Sequence, residues 1–329
     1  MLMIAKIGNF AYFCKRMKQL YRDFGSWIRM YFDGPVQKIS VDAGFTCPNR
    51  DGKLSTGGCI YCDNRAFNPS YCDPRKTIQE QLEDGKAFFS RKYHNTKYLA
   101  YFQAYTNTYA SIESLKRIYE EALQVEDVVG IVIGTRPDCM SDQLLDYLEQ
   151  LNKQTFLLIE YGVETTNNDT LQRIHRGHSF ECSKATIEKT HDRGILTGAH
   201  VIIGLPGESA EDSIAQAPII SSLPIDVLKI HQMQVIRHTQ LAKQYAEAPF
   251  HTYTVDQYLD VIIRYIERLR NDLVLERFVS MSPPDRVIAP KWGLKPYEWM
   301  NLLTQRMVER NTWQGKLWRP STNVTMDVE

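Results

Sequence analysis

The sequence has no apolar run long enough to cross a membrane, no internal repeat and no low-complexity segment. Its longest apolar runs, residues 128–134 and 201–205, have the length of strands, whereas a membrane-spanning helix needs about 20 apolar residues. The first fifteen residues contain one early lysine and no small-residue cleavage site, so we expect no signal peptide. These absences predict a cytoplasmic globular protein.

Net charge is also lacking, since 39 Lys and Arg residues balance 39 Asp and Glu residues. The balance is uneven: residues 1–40 hold seven basic and two acidic residues, and residues 285–320 hold seven and three. Basic ends can bind an anionic polymer such as nucleic acid, and they can equally be solvated faces of terminal helices. The neutral total argues against strong nonspecific binding to nucleic acid.

Cysteine is sparse, and the count of seven is odd. In a reducing compartment such a set does not predict a disulfide framework. Three of the seven, Cys47, Cys59 and Cys62, fall within sixteen residues. The C-x-x-C pair can face one metal centre, and the glycine-rich connection lets the third thiolate fold back to it.

Three thiolates are compatible with more than one centre. On a cubane iron–sulfur cluster they leave one iron without a protein ligand, open to an exogenous one. A zinc site would need a water or a fourth ligand, for which Asp63, Cys72 and His94 are candidates. A thioredoxin-like redox pair is another interpretation of the C-x-x-C pattern alone.

Apolar runs alternate with amphipathic stretches through residues 36–235, and the runs are almost continuously apolar, as expected of strands buried on both faces. Six strand–helix units predict parallel strands with right-handed crossovers, and therefore an α/β fold with a TIM-like partial (β/α)6 barrel. We expect an N-terminal helical extension over 1–35, the barrel core over 36–245 and a C-terminal extension over 246–329. The predicted strands are 36–43, 98–103, 128–135, 156–163, 197–205 and 227–235.

Residues able to carry chemistry follow the predicted strands, at the barrel edge where such folds place their active sites. They are Cys47, Thr106, Arg136, Glu164 and Glu208. Arg136 and Asp138 are candidates for substrate or cofactor contacts, or for a buried ion pair. Cys139 next to them could relay a radical or be an inert buried thiol.

In the cysteine motif, Tyr61 stands directly before the last cysteine. Five motifs, the first of which contains Cys47, occur in a fixed order: residues 44–52, 101–108, 134–139, 173–178 and 204–208. Together they resemble the radical S-adenosylmethionine (SAM) superfamily, and within it the YtqA/YhcC-like subgroup. This subgroup is related to the elongator catalytic subunit and to the coproporphyrinogen dehydrogenase group. The resemblance covers residues 20 to 320.

The resemblance implies a [4Fe–4S] cluster on Cys47, Cys59 and Cys62, whose open iron is chelated by the amino and carboxylate groups of SAM. It also implies reductive cleavage of SAM to a 5′-deoxyadenosyl radical, which takes a hydrogen atom from the substrate. The electron would come from a donor such as flavodoxin or ferredoxin.

Carried over residue by residue, the resemblance implies SAM contacts for Tyr61, Thr106, Glu164, Arg176, His200, Ile202 and Gly204. Tyr61 and the strand bearing Ile202 and Gly204 would lie by the adenine, and Arg176 would pair with the methionine carboxylate. The corresponding structural interpretations are a core aromatic for Tyr61 and a surface arginine at a helix end for Arg176.

Glu164 and His200 would bind the ribose hydroxyls. The structural alternative for Glu164 is an ion pair with Arg173. The structural alternative for His200 is a core histidine whose hydrogen bonds are satisfied within the protein. The turn at residues 103–108 departs from the superfamily pattern. Thr106 aligns there, but the glycines whose backbone carbonyls bind the methionine amine are missing.

For the substrate, the YtqA branch implies the wobble uridine of tRNA, whose carboxymethylaminomethyl group is converted to aminomethyl. An aromatic and basic stretch over residues 10–32 could face RNA, or it could cover the barrel. Alternatives are a radical SAM enzyme acting on a protein or small molecule, and an iron–sulfur or zinc-bearing accessory protein that does not cleave SAM.

Overall fold

The computed structural model describes residues 20–63, 68–90, 95–280 and 282–320. Residues 10–19 of the predicted RNA-facing stretch lie outside them, as does His94. No helix in this part of the chain is long and apolar enough to cross a membrane.

Parallel strands form the centre of the molecule. They are β1 (Val36–Val41), β2 (Lys97–Phe102), β3 (Val128–Thr135), β4 (Phe156–Glu164), β5 (Leu196–Ile203), β6 (Val227–Gln232) and β8 (Val274–Arg277). Across the described residues they make one seven-stranded sheet in the order β1-β2-β3-β4-β5-β6-β8. A short antiparallel pair, β7 (Val235–Ile236) and β9 (Val287–Ala289), lies apart from this sheet.

Helices connect successive strands of the sheet, and further helices follow it. They are α1 (Phe24–Ile28), α2 (Ile78–Ser90), α3 (Ile112–Leu123), α4 (Asp142–Asn152), α5 (Asn168–Arg173), α6 (Phe180–His191), α7 (Ala210–Ser222), α8 (Gln240–Glu247), α9 (Val255–Ile266) and α10 (Pro296–Glu309), with a 3-10 turn at Pro137–Cys139. Ser111 and Ser141 are the N-caps of α3 and α4, because their side chains accept from the backbone N–H groups of Ser114 and Leu144.

The predicted fold class is confirmed, and the sheet has one strand more than the six predicted. The extra strand, β8, comes from the segment predicted as a C-terminal extension, and it pairs with β6 from Val227 and Val274 onward. The predicted strand 227–235 is divided into β6 and β7. The barrel sheet therefore continues past residue 245, although the proposed boundary there remains a prediction.

The sheet curls until its two edge strands face each other. Lys38 on β1 lies 2.7 Å from Glu276 on β8, although these strands are at opposite ends of the sheet. Helix α1 packs against the N-terminal ends of the strands, where the Trp27 and Phe156 rings are 6.2 Å apart. The half-barrel is thereby covered at that end, and its cavity opens at the C-terminal ends of the strands.

Candidate active site

The loop after β1 brings the three clustered cysteines to one cavity at the open end of the half-barrel. Cys47 and Cys59 are buried and Cys62 is half-buried. Tight turns shape the loop, since Arg50 N donates to Cys47 O and Cys62 N donates to Cys59 O at 3.0 Å. The structure therefore brings together the predicted Cys47, Cys59 and Cys62.

A single side chain fastens this loop to the segment after α5. Asn49 Nδ2 donates to the carbonyls of His175 and Arg176 at 2.8 and 2.9 Å and lies 3.6 Å from Cys59 Sγ. Gly177, at φ +80°, leaves the space for this contact, because a Cβ there would lie 2.6 Å from Asn49 Oδ1. The predicted motif 173–178 thus positions the cysteine loop.

Arg176 is buried beside the cysteines, so the surface interpretation of this residue is wrong. Its Nη2 donates to Gly162 O at 2.6 Å and lies 3.3 Å from Glu164, and its Nη1 lies 3.7 Å from Cys59 Sγ. Burial alone lowers the pKa of Arg176, but Tyr61, Glu164 and Cys59 outweigh it and raise that pKa. The guanidinium is therefore charged beside a sulfur ligand candidate.

Glu164 reaches the cavity because β4 bulges at its end. Gly162 pairs with His200 and Glu164 with Val201, which leaves Val163 as the extra residue, and Glu164 has φ +68°. Bulges of this kind re-aim side chains beside active sites. The ion pair expected between Glu164 and Arg173 is not formed, because Arg173 donates to Pro206 O instead.

Tyr61 and Ile202 line the same cavity on its apolar side. Burial, followed by the charges of Glu164 and Cys59, raises the pKa of Tyr61 well above its usual value. Gly204 does not line the cavity. It has φ +88° and faces the ring of Tyr253, which a Cβ would approach to 2.9 Å.

The turn that lacks the family glycines keeps a glycine-like backbone. Tyr105 has φ +58°, in the left-handed region that glycine adopts freely and other residues adopt rarely. Thr106 is buried, and its N–H donates to Thr46 O at 3.3 Å, which ties the turn to the cysteine loop. Gln103, Tyr105 and Thr106 all line the cavity.

Arg136 also lines the cavity and forms a two-bond ion pair with Asp138, with distances of 2.9 and 2.8 Å. Cys139 and Glu208 do not line it. Burial and the charge of Asp138 raise the pKa of Cys139 to about 12, so its thiol is protonated at neutral pH. Glu208 instead accepts from Thr165 and Gln216, away from the cavity.

The expected alternative ligands have other partners. Asp63 pairs with Arg286 at 3.6 Å, and Cys72 Sγ donates to Ser40 O at 2.9 Å. In the part of the chain that the structure describes, no three His, Cys, Asp or Glu side chains could hold one metal ion. A cubane keeps its thiolates farther apart than a single ion does, so this finding concerns mononuclear sites.

Sequence reasoning missed a set of buried charges at the inner end of the cavity, which we call the charge ring: Lys38, Glu160, Lys229 and Glu276. Four ion pairs close it, with Nζ–Oε distances of 2.9, 2.7, 2.6 and 3.3 Å. His200 adds a contact from Nε2 to Glu160 at 3.0 Å. Burial alone raises the pKa of Glu160, but Lys229, Lys38 and His200 lower it well below its usual value.

A signal for the charge ring was present in the sequence, because Lys38, Glu160 and Lys229 interrupt otherwise apolar strands. Charges are almost never fully buried unless they are paired. Three such interruptions, in the first, fourth and sixth strands of one sheet, indicate mutual pairing across the inside of a barrel.

The residues around the cavity fit a cluster and SAM. Three thiols supply the soft ligands that iron–sulfur clusters use. Several buried polar atoms beside them have no hydrogen-bond partner among the described residues, as an anionic or polar ligand would require. These atoms are Thr106 Oγ1, Arg136 Nη1 and Arg176 Nε.

Comparison with known proteins agrees with this geometry. The model of the Radical SAM superfamily matches residues 49–215, and that of the Radical_SAM C-terminal domain matches residues 225–309. The uncharacterized protein YtqA of Bacillus subtilis is 32% identical over 299 residues, which cover 91% of this chain and 93% of that protein.

Two archaeal proteins extend the comparison. The tRNA uridine(34) acetyltransferase of Methanocaldococcus infernus is 28% identical over 155 residues, which cover 46% of this chain and 28% of that protein. The structure of the Methanocaldococcus infernus Elp3 with an N-terminal deletion superimposes with a TM-score of 0.66 at 18% identity, covering 85% of this chain and 64% of that one. The chain belongs to the radical SAM superfamily and is a radical SAM enzyme.

Proposed function

We propose that this enzyme binds a [4Fe–4S] cluster through Cys47, Cys59 and Cys62 and uses SAM to modify the wobble uridine of tRNA, converting its carboxymethylaminomethyl group to aminomethyl. One observation carries the cluster assignment: the three cysteines line one cavity together with the buried cation Arg176. A cation 3.7 Å from Cys59 Sγ stabilises thiolate charge.

When bound, the cluster and SAM supply one-electron chemistry that yields a hydrogen-abstracting radical, with flavodoxin or ferredoxin as the proposed electron donor. Arg176 Nε, which has no partner among the described residues, would bind the carboxylate of SAM. Glu164 would accept from the ribose hydroxyls, and Tyr61 and Ile202 would cover the adenine. The enclosing sheet would exclude water from the reacting groups.

The turn at residues 103–108 supports SAM binding despite its sequence. The accessory-protein alternative was favoured by the missing glycines. Tyr105 nevertheless holds the left-handed backbone that glycine would adopt, and the backbone carbonyls of such a turn can accept from the methionine amine. Because that alternative loses its main support, we retain SAM cleavage as the proposed chemistry.

The tRNA assignment is supported by likeness and by charge. One archaeal relative is a tRNA uridine(34) acetyltransferase, whose name gives tRNA as its substrate. The basic segment of residues 285–320 includes Lys291 and Lys295, which are exposed and available to phosphates. A protein or small-molecule substrate is the alternative outcome of the test.

The first test is anaerobic reconstitution with iron and sulfide, followed by dithionite and SAM. We expect 5′-deoxyadenosine from the wild-type protein and from Cys182→Ala, whose thiol lies on α6, and none from Cys59→Ala. A reconstituted wild-type protein that forms no 5′-deoxyadenosine would refute the proposed chemistry.

The second test concerns the substrate. Deleting the gene should raise carboxymethylaminomethyluridine in tRNA and lower aminomethyluridine and nucleosides made from it, as measured by mass spectrometry of digested tRNA. An unchanged set of wobble uridines would remove the tRNA assignment and leave the protein or small-molecule alternative.

A further inference from the structure

Among the residues that the structure describes, the inner end of the cavity holds one cation, Arg277, that no ion pair neutralises. Arg277 is the last residue of β8 and lines the cavity, half-buried. Throughout the described part of the chain, the side chain of Arg277 forms neither an ion pair nor a hydrogen bond. The guanidinium therefore keeps its five N–H donors available to a ligand in the cavity.

The charge ring explains why Arg277 has no carboxylate partner. Lys38 and Lys229 each contact both Glu160 and Glu276, so these two lysines use both carboxylates of the inner cavity. Two cations and two anions cancel, and Arg277 adds one uncompensated positive charge. The neighbouring His231 adds none at neutral pH, because burial, His200 and Arg277 lower its pKa well below the usual value.

A bulge directs Arg277 into the cavity. Leu228 pairs with Leu275 and Lys229 pairs with Arg277, so Glu276 is an extra residue in β8. Regular alternation would send Glu276 and Arg277 to opposite faces of the sheet. The bulge allows Glu276 to join the charge ring while Arg277 also lines the cavity.

The position of Arg277 selects a small ligand group. Across β5, β6 and β8, His200, Lys229 and Arg277 are in register, one level deeper than Ile202 and His231. Strands surround this level, so a substituent projecting from a base can reach it more readily than a polynucleotide backbone. A planar guanidinium binds a carboxylate through two parallel hydrogen bonds.

We propose that Arg277 is a specificity-determining residue that binds the carboxylate of the substrate at the inner end of the cavity. This inference rests on the proposed function and deepens it, because the carboxymethylaminomethyl group ends in a carboxylate that its aminomethyl product lacks. Arg277 would therefore distinguish substrate from product.

The test uses two anticodon stem-loop RNAs that differ at the wobble position, one with carboxymethylaminomethyluridine and one with aminomethyluridine. Their binding to the reconstituted holoenzyme is measured at fixed salt with S-adenosylhomocysteine present, so that no turnover occurs. We expect Arg277→Gln to weaken binding of the carboxylate RNA by about 10- to 100-fold, as expected for a lost charge-assisted pair. Binding of the aminomethyl RNA should not change.

Two further variants separate the geometry of the guanidinium from its charge. Arg277→Lys keeps the charge without the planar fork, so it should recover part of the affinity. Arg117→Gln removes one exposed cation from α3 and should preserve discrimination between the two RNAs, which controls for general charge effects on RNA binding. The thermal midpoint of Arg277→Gln should stay near that of the wild type, since this side chain stabilises no described contact.

Equal affinity of wild type and Arg277→Gln for the carboxylate RNA would overturn the inference, and so would an equal loss for both RNAs. Weakened binding of S-adenosylhomocysteine would overturn it as well, because Arg277 would then serve the cofactor. Failure of the proposed function is seen in the wild type alone, as absent 5′-deoxyadenosine or absent binding of either stem-loop.

Discussion

Replacing Lys229 with methionine tests whether the charge ring holds the half-barrel together. Lys229 and Glu160 are each 1% exposed, and Lys229 Nζ lies 2.6 Å from Glu160 and 3.3 Å from Glu276. Methionine has nearly the same length and no charge, so packing changes little. The substitution leaves two buried carboxylates with Lys38 as the remaining lysine of the ring.

Removing one partner of a buried ion pair costs about 3–5 kcal/mol, because the other charge stays buried. Lys38 and His200 still contact Glu160 in the variant. We therefore expect the lower end of this range, a loss of about 3 kcal/mol in the free energy of unfolding. Adding Glu160→Gln removes the unbalanced charge, so the double variant should be more stable than Lys229→Met by about 1 kcal/mol or more.

Urea unfolding followed by circular dichroism measures these differences. Lys153→Met is the matched control, because Lys153 pairs with Glu149 at an exposed position, and it should change stability by about 0.5 kcal/mol or less. A loss below about 1 kcal/mol for Lys229→Met, or a double variant less stable than that single variant, would refute the reasoning.

Three further predictions follow from the same structure. The pKa of Glu160 is lower in the folded protein than in the unfolded chain, so its ionisation stabilises the fold above about pH 4.3. This contribution is lost as the pH falls through the folded pKa. Urea unfolding between about pH 7 and pH 3 should therefore show a weaker pH dependence of the unfolding free energy for Glu160→Gln than for wild type. Gly204→Ala should cost at least about 1 kcal/mol more than Gly194→Ala in urea unfolding, since both have positive φ but only Gly204 faces a ring at 2.9 Å; equal losses would contradict the packing argument. Arg176→Gln should raise the dissociation constant of S-adenosylhomocysteine about 10- to 100-fold by equilibrium dialysis, whereas Arg173→Gln should not, and an unchanged constant for Arg176→Gln would remove that residue from the carboxylate site.

Periodicity was sufficient for the strands of the half-barrel because strands buried on both faces are nearly continuous apolar runs. It did not reveal that β8 completes the sheet. This strand has four residues, Val274–Arg277, and two of them are charged. Its place depends on pairing with β6 and on the bulge at Glu276, which are contacts between distant parts of the chain.

The meeting of Cys47, Cys59 and Cys62 was predictable because its signal is local spacing, and the structure brings them to one cavity as that spacing indicated. The partners of Arg176 were not predictable. A bulge in β4 and the left-handed backbone of Glu164 decide that Glu164 meets Arg176 rather than Arg173. Such pairings depend on tertiary geometry that no pattern within one segment encodes.

The charge ring and Arg277 were missed for a related reason. Each residue of the charge ring lies on a different strand, and it is the curling of the sheet that brings Lys38 on the first strand to Glu276 on the last. Lys38 is 238 residues from Glu276 and 122 from Glu160 in sequence, so only the closed shape of the sheet shows that these charges compensate one another.

The most direct test of the account is iron and sulfide content, with electron paramagnetic resonance of the dithionite-reduced protein before and after SAM is added. We expect about four irons per chain in the wild type and a spectrum that changes with SAM. Cys47→Ala, Cys59→Ala and Cys62→Ala should each lose the cluster, and Cys139→Ala should keep it. An iron-free wild-type protein, or clusters retained in all three cysteine variants, would contradict the account.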